Sequence, residues 1–225
     1  MADILVTISV WALPLLLAIT LHEAAHAWVA FKLGDSTAKR LGRVSFNPMV
    51  HVDPFGTVLL PLLLLMSGSG FMFGYAKPVP VNFSQLNQPR RDMVWVALAG
   101  PAANILLLIS AALLLNMLSF VPEVASEWFG RNMINMMWIN AILAVFNMLP
   151  IPPLDGGRVA VGILPNFLAR PLSRIEPYGM LIIIMMIFVI PFGGRYLGLN
   201  LNVFQYIIFP PVEFIIGLAT KLANI

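Results

Sequence analysis

The chain has 225 residues, of which 60% are hydrophobic and 10% charged, with a formal charge of +3. Its mean hydropathy of +0.89 excludes an ordinary soluble domain, where about 25% of residues are charged, and indicates a polytopic membrane protein. With no cysteine, disulfides and thiolate metal sites are ruled out, and no Lys/Arg-rich segment points to nucleic acid.

The spacing predicts one all-α integral-membrane domain over residues 1–225, with five to six transmembrane helices, a re-entrant segment and short β-strands near the cytoplasmic face. Residues 4–33 form the first span, roughly 45 Å long as a helix and kinked at Pro14. It lacks the basic n-region and cleavage site of a secretory signal, so it reads as retained. Residues 34–54 are polar and turn-rich, with irregular structure and short strands expected. Residues 55–73 are apolar but broken by Pro61 and by Ser67-Gly68-Ser69-Gly70, which suits a re-entrant segment. Further spans are expected at 93–120, 133–149, 178–190 and 203–218. An acidic link carrying Glu123 and Glu127 joins the second and third, and a Pro/Gly turn carrying Asp155 follows Pro150.

Charge orients these spans, because cytoplasmic loops collect Lys and Arg. If 55–73 dips in and returns, Lys32, Lys39, Arg40, Arg43, Lys77, Arg90, Arg91, Arg158, Arg170, Arg174 and Lys221 share one side. Arg131 and Arg195 fall on the other with Glu123 and Glu127. Five full spans, N-terminus out and C-terminus in, follow from that choice. The expected location is the cell (inner) membrane.

The first span holds Leu21-His22-Glu23-Ala24-Ala25-His26. On a helix, His22 and His26 lie one turn apart on one face, so both imidazoles reach a single metal ion. Glu23 is offset by about 100°, close enough to act on a water at the metal without ligating it. Ionisable groups in a lipid-spanning segment are costly, which favours function over mutual satisfaction inside a bundle. Counting from Lys32, the pair sits about 9–15 Å below the basic end of the helix. A catalytic zinc needs a third protein ligand. Asp155 in Pro150-Ile151-Pro152-Pro153-Leu154-Asp155-Gly156-Gly157 lies at the same depth and side. There the prolines stop the helix and the glycines allow close backbone approach. Taken alone, Asp155 would read as a turn or helix cap. Beside His-Glu-x-x-His, the ligand reading prevails.

These motifs resemble the site-2 protease family of intramembrane zinc metalloproteases. Its signatures are His-Glu-x-x-His on a transmembrane helix and a distant Asn-x-x-Pro…Leu-Asp-Gly, here His22–His26 and Asn147, Pro150 and Leu154-Asp155-Gly156. The Gly100-x-x-x-Asn104 helix between them also matches. The resemblance covers most of the first 165 residues, the expected catalytic core, with further helices at about 177–221. No segment has the length and polarity of a PDZ or CBS domain, so the chain resembles the compact branch. The resemblance implies one Zn2+ per chain on His22, His26 and Asp155, Glu23 as general base, and transmembrane protein substrates within the lipid bilayer.

Asn104 and Asn147, the motif asparagines, are candidates for holding the substrate backbone or the developing oxyanion. Interhelical hydrogen bonding is the even alternative. Residues 74–82 suit an edge strand for an extended substrate, and the family resemblance points the same way. Pro78 and Pro80 lack N–H donors, so the edge bearing Lys77, Val79 and Val81 would be the working one. A plain proline-rich loop is the other reading. His51 reads as structural, the Met-rich stretch 133–148 as packing, and Gly100 as a site of close helix packing. The function expected is endoproteolysis within or near transmembrane segments. The alternative is a silent adaptor that keeps the fold to bind partner helices, and a metal transporter would need more ionisable residues along the spans.

Overall fold

The computed structural model describes residues 2–59, 62–63, 77–199, 201–202 and 204–225. Helix α1 (Ala2–Lys32) is unbroken across the buried Pro14 and ends at Gly34, whose φ of +113° suits only glycine. A single turn, α2 (Thr37–Arg40), follows. Helix α3 (Pro89–Leu115) starts with Pro89 in its first turn, and Asp92 Oδ2 accepts the Gln88 N–H at 2.7 Å, which caps it. Helix α4 (Glu123–Asn147) is followed by α5 (Asp155–Ile163) and the amphipathic α6 (Asn166–Arg174). Helix α7 (Gly179–Ile184) passes through a π-helical stretch, Met185–Val189, into α8 (Ile190–Tyr196). Helix α9 (Phe209–Ala223) ends the chain.

Among the described residues, four stretches are long and apolar enough to cross a membrane: Leu5–Lys32, Pro89–Leu115, Asn166–Gly194 and Gln205–Ala223. Helix α4 falls short of them in hydropathy because it carries Asn132, Asn135, Asn140 and Asn147. The side-chain N–H groups of those amides find acceptors inside the bundle. Asn132, Asn140 and Asn147 each donate to the carbonyl four residues back, and Asn135 donates to Val10 of α1.

Helices α1, α3 and α4 pack against one another, with α5 against α3 and α9 against α4 and α3. Alanines 111, 112, 141, 219 and 223 are buried there with Leu108, Met136, Met137 and Val212. Small side chains let backbones approach closely, which is how helices associate where lipid removes the hydrophobic drive. A smaller cluster of Ala30, Leu86 and Val96 seats residues 81–86 on the ends of α1 and α3.

Two expectations need correction. The link holding Glu123 and Glu127 is the start of α4, where the acidic Glu123 suits the positive end of the helix dipole. The expected strands are absent among the described residues. In 34–54, side chains take the backbone donors instead: Asp35 accepts from Thr37, Asn47 from Met49, and Asp53 from Phe55 and Gly56. Such local bonds favour turns over ladders. Residues 77–82 carry no strand either: Pro78 and Pro80 donate nothing, the Val79 and Asn82 N–H groups go to side chains, and the Lys77 N–H goes to a loop carbonyl. Most of the expected re-entrant segment, and residues 74–76, lie outside the described residues.

Candidate active site

The helical spacing that sets His22 and His26 one turn apart brings their Nε2 atoms to 3.0 Å. Asp155, first residue of α5, reaches in between with Oδ2 3.3 Å from each Nε2. Close packing of glycines against the preceding turn places it there. A Cβ on Gly156 would collide with the Met148 and Leu149 carbonyls, and one on Gly157 with the backbone of Ile151 and Pro152. All three ligand-type residues are buried.

The other ring nitrogens set the protonation pattern. His26 Nδ1 lies 2.7 Å from the Val96 carbonyl oxygen, which can only accept, so Nδ1 carries the proton. His22 Nδ1 is 2.6 Å from Asn104 Oδ1, with the same result. Both Nε2 lone pairs therefore face Asp155 Oδ2, which is buried and has no hydrogen-bond partner. Three acceptors converge with no donor among them. A cation satisfies all three at once, and the N,N,O set, with each imidazole donating its other N–H to an oxygen, suits zinc.

Gly100 of α3 forms the wall of this centre. A Cβ there would stand 2.6 Å from His22 Nε2 and closer still to His26 Nε2. The close approach expected at Gly100 is thus to the imidazoles. Glu23 sits beside them, its Oε2 accepting the Val79 N–H at 2.7 Å. A cavity of about 360 Å³ opens over the centre, lined among others by Glu23, Val79, Val81, Asn147, Asp155 and Arg158.

The remaining predicted residues divide. Val79 and Val81 reach the cavity. Lys77 does not line it, and its backbone is committed, with N–H donated to His51 O and its carbonyl accepting from Arg43. Asn147 lines the cavity while its Nδ2 donates to Leu143 O. Asn104 turns away from the cavity. Its oxygen serves His22 and its nitrogen Ala18 O and Asn140 Oδ1. His51 is fully buried, bonded to Ser45 O, and away from the centre.

Asp35 secures the far end of the segment by accepting the Asn82 N–H at 2.7 Å. Burial pushes its pKa up, but hydrogen bonds from Thr37 and Asn82 and the charge of Arg40 outweigh that and hold it below the usual range. Sequence reasoning missed Asn140, the Val96 carbonyl, and Arg158, which stacks on Phe83 at 5.2 Å and pairs with Glu176 at 3.9 Å. Only Arg158, next to the Leu-Asp-Gly motif, had a signal nearby.

The profile of peptidase family M50 matches residues 10–130 and 123–190. The chain belongs to peptidase family M50. That is the family of the site-2 proteases its motifs resemble. It is 40% identical over 192 residues to the candidate zinc metalloprotease YwhC of Bacillus subtilis (strain 168), covering 84% of each chain. It is 31% identical over 175 residues to the candidate zinc metalloprotease Rip2 of Mycolicibacterium smegmatis, covering 76% of this chain and 64% of Rip2. A 64-residue match, 47% identical, links it to the candidate zinc metalloprotease MJ0611 of Methanocaldococcus jannaschii, 28% of this chain and 31% of MJ0611. No solved structure matches. This M50 peptidase is a multi-pass membrane metalloprotease with zinc as its cofactor.

Proposed function

We propose that the chain is an intramembrane endopeptidase, cutting transmembrane segments of other membrane proteins and releasing fragments to the cytoplasm. The observation that carries this reading is the convergence of His22, His26 and Asp155 on the Glu23 side of a membrane-length helix. Zinc, when bound, supplies a Lewis acid and lowers the pKa of a water toward neutrality. His22, His26 and Asp155 hold it, the first two with protons fixed on Nδ1. Glu23 takes the proton of the attacking water and returns it to the leaving amine.

A transmembrane helix conceals its peptide bonds in its own hydrogen bonds, so the scissile stretch must unwind and find replacements. The segment carrying Val79 and Val81 supplies them, with the Val79 N–H passing from Glu23 to the substrate. Asn147, whose Oδ1 has no partner among the described residues, holds substrate from the opposite wall. Asn104 acts one step back by fixing His22. Helices α1, α3, α4, the 166–194 stretch and the 205–223 stretch cross the bilayer as five spans. The clustering of Lys and Arg supports a centre toward the cytoplasm.

The test is co-expression of wild type or Glu23→Gln with tagged single-span substrates, followed by gel. Cleavage by wild type, lost in Glu23→Gln while zinc stays bound, is the expected result. Cleavage that survives the substitution overturns the reading.

A further inference from the structure

The two zinc-facing histidines are oriented by different means. His26 Nδ1–H meets a backbone carbonyl, Val96 O, which can only accept and cannot be flipped. His22 instead meets a side-chain amide, and an amide can be reversed end for end. Reversed, Asn104 would present N–H to Nδ1, push the imidazole proton to Nε2 and abolish the lone pair aimed at the ion. Something must hold Asn104 one way round.

That constraint is read from the far end of a buried chain of amides. Asn140 Nδ2 donates to Met136 O at 2.8 Å, and a backbone carbonyl only accepts. This turns Asn140 Oδ1 toward Asn104, whose Nδ2 donates to it at 2.8 Å. With its nitrogen so fixed, and a second bond to Ala18 O at 3.3 Å, Asn104 faces His22 with its oxygen. Both asparagines are fully buried, so no water competes for them.

We propose that Asn140 is a positioning residue of the metal centre, setting the tautomer of His22 through Asn104. It hydrogen-bonds to no metal ligand and not to Glu23, and it does not line the cavity. The inference rests on the reading of His22 as a zinc ligand, and of the α4 asparagines with amides turned onto their own helix, only Asn140 also reaches a residue that touches the site. Losing a group bonded directly to a metal ligand, as Asn104 is bonded to His22, changes metal affinity by about 10–100-fold, and Asn140 acts through Asn104.

The test uses the full chain in detergent or nanodiscs, with zinc affinity measured by chelator competition and the His22 tautomer of the metal-free protein read by 15N NMR. Asn140→Leu removes the acceptor and is expected to weaken zinc binding by at least about tenfold, with His22 losing its single Nδ1–H form. Asn140→Asp, neutral in so apolar a site, keeps one acceptor and one donor and is expected to stay within about threefold of wild type. Wild-type affinity and tautomer in Asn140→Leu overturn the proposal, as does an Asn140→Asp variant as weak as Asn140→Leu. Should the leucine variant not fold, an Nε2–H form of His22 in metal-free wild type overturns it alone. A wild type that binds no zinc would instead bring down the underlying reading of the site.

Discussion

The backbone N–H of Val79 points at the carboxylate of Glu23, 2.7 Å from Oε2. The residue proposed to move protons is thus bonded to the segment proposed to hold substrate; the single Val79 N–H cannot serve both, whereas the carboxylate keeps a second oxygen. For an extended chain to enter, the Val79–Glu23 bond has to exchange for bonds to substrate and water.

Removing the Val79 donor separates these roles. Val79→Pro is expected to lower kcat/KM by about tenfold, the effect of one hydrogen bond worth roughly 1.4 kcal/mol, at unchanged zinc content. Val79→Ala, which keeps the N–H, should stay near wild type. Equal activity of the two variants on a defined single-span substrate would remove this segment from substrate binding.

Glu23→Gln keeps the size and the acceptor oxygen but cannot take a proton. Loss of turnover by at least about 100-fold is expected, with metal content unchanged because Glu23 is not among the converging ligands. Metal analysis beside the cleavage gel checks both halves.

Gly100→Ala places a methyl group on the imidazoles of His22 and His26. The expected outcome is loss of bound zinc and of cleavage in a protein that still inserts. Gly130→Ala is the control, because its Cβ would meet only Leu118 side-chain carbons, at 3.7 and 4.0 Å. A fully metallated Gly100→Ala protein would contradict the packing described here.

The depressed pKa of Asp35 makes a pH prediction. A carboxylate more acidic in the folded state adds stability that is complete above its unfolded pKa of about 3.9 and is lost as pH falls through the folded value. Wild type should therefore lose melting temperature below about pH 4. Asp35→Asn should start lower at pH 7, by about 1 kcal/mol, and show less of that acid-side decline. Parallel curves for the two proteins would mean that Asp35 does not hold the Asn82 end.

The part of this site carried by local spacing was legible in the chain. His22 and His26 are one turn apart because helices have that pitch, and Asp155 was found by matching its depth to theirs. What depends on the direction of a rotatable group was not legible. Asn104 was picked out, but whether its amide met substrate or a helix depended on Asn140, which sequence does not tell apart from Asn132 or Asn135. Gly100 announced a close approach without saying to what. The strands failed for a different reason, because Asp35, Asn47 and Asp53 satisfy nearby N–H groups before any ladder can form. Helix α4 began earlier than expected because Glu123 and Glu127, read as link residues, are good helix formers at a favourable end.

The amides of α4 also bear on how the protein is made. A segment with four asparagines is the one that a bilayer receives least willingly, and two of its polar contacts lie on α1: Asn135 with the Val10 carbonyl and Trp128 with Ser9. A third, Asn140, is matched by Asn104 on α3. All three partners precede α4 in the chain, so each is already synthesised when α4 leaves the ribosome. The same order that delivers His22 and His26 first delivers the acceptors for Asn135 and Trp128 and the donor for Asn140, and truncation from the N-terminal side would cost α4 its place before it cost the enzyme its histidines.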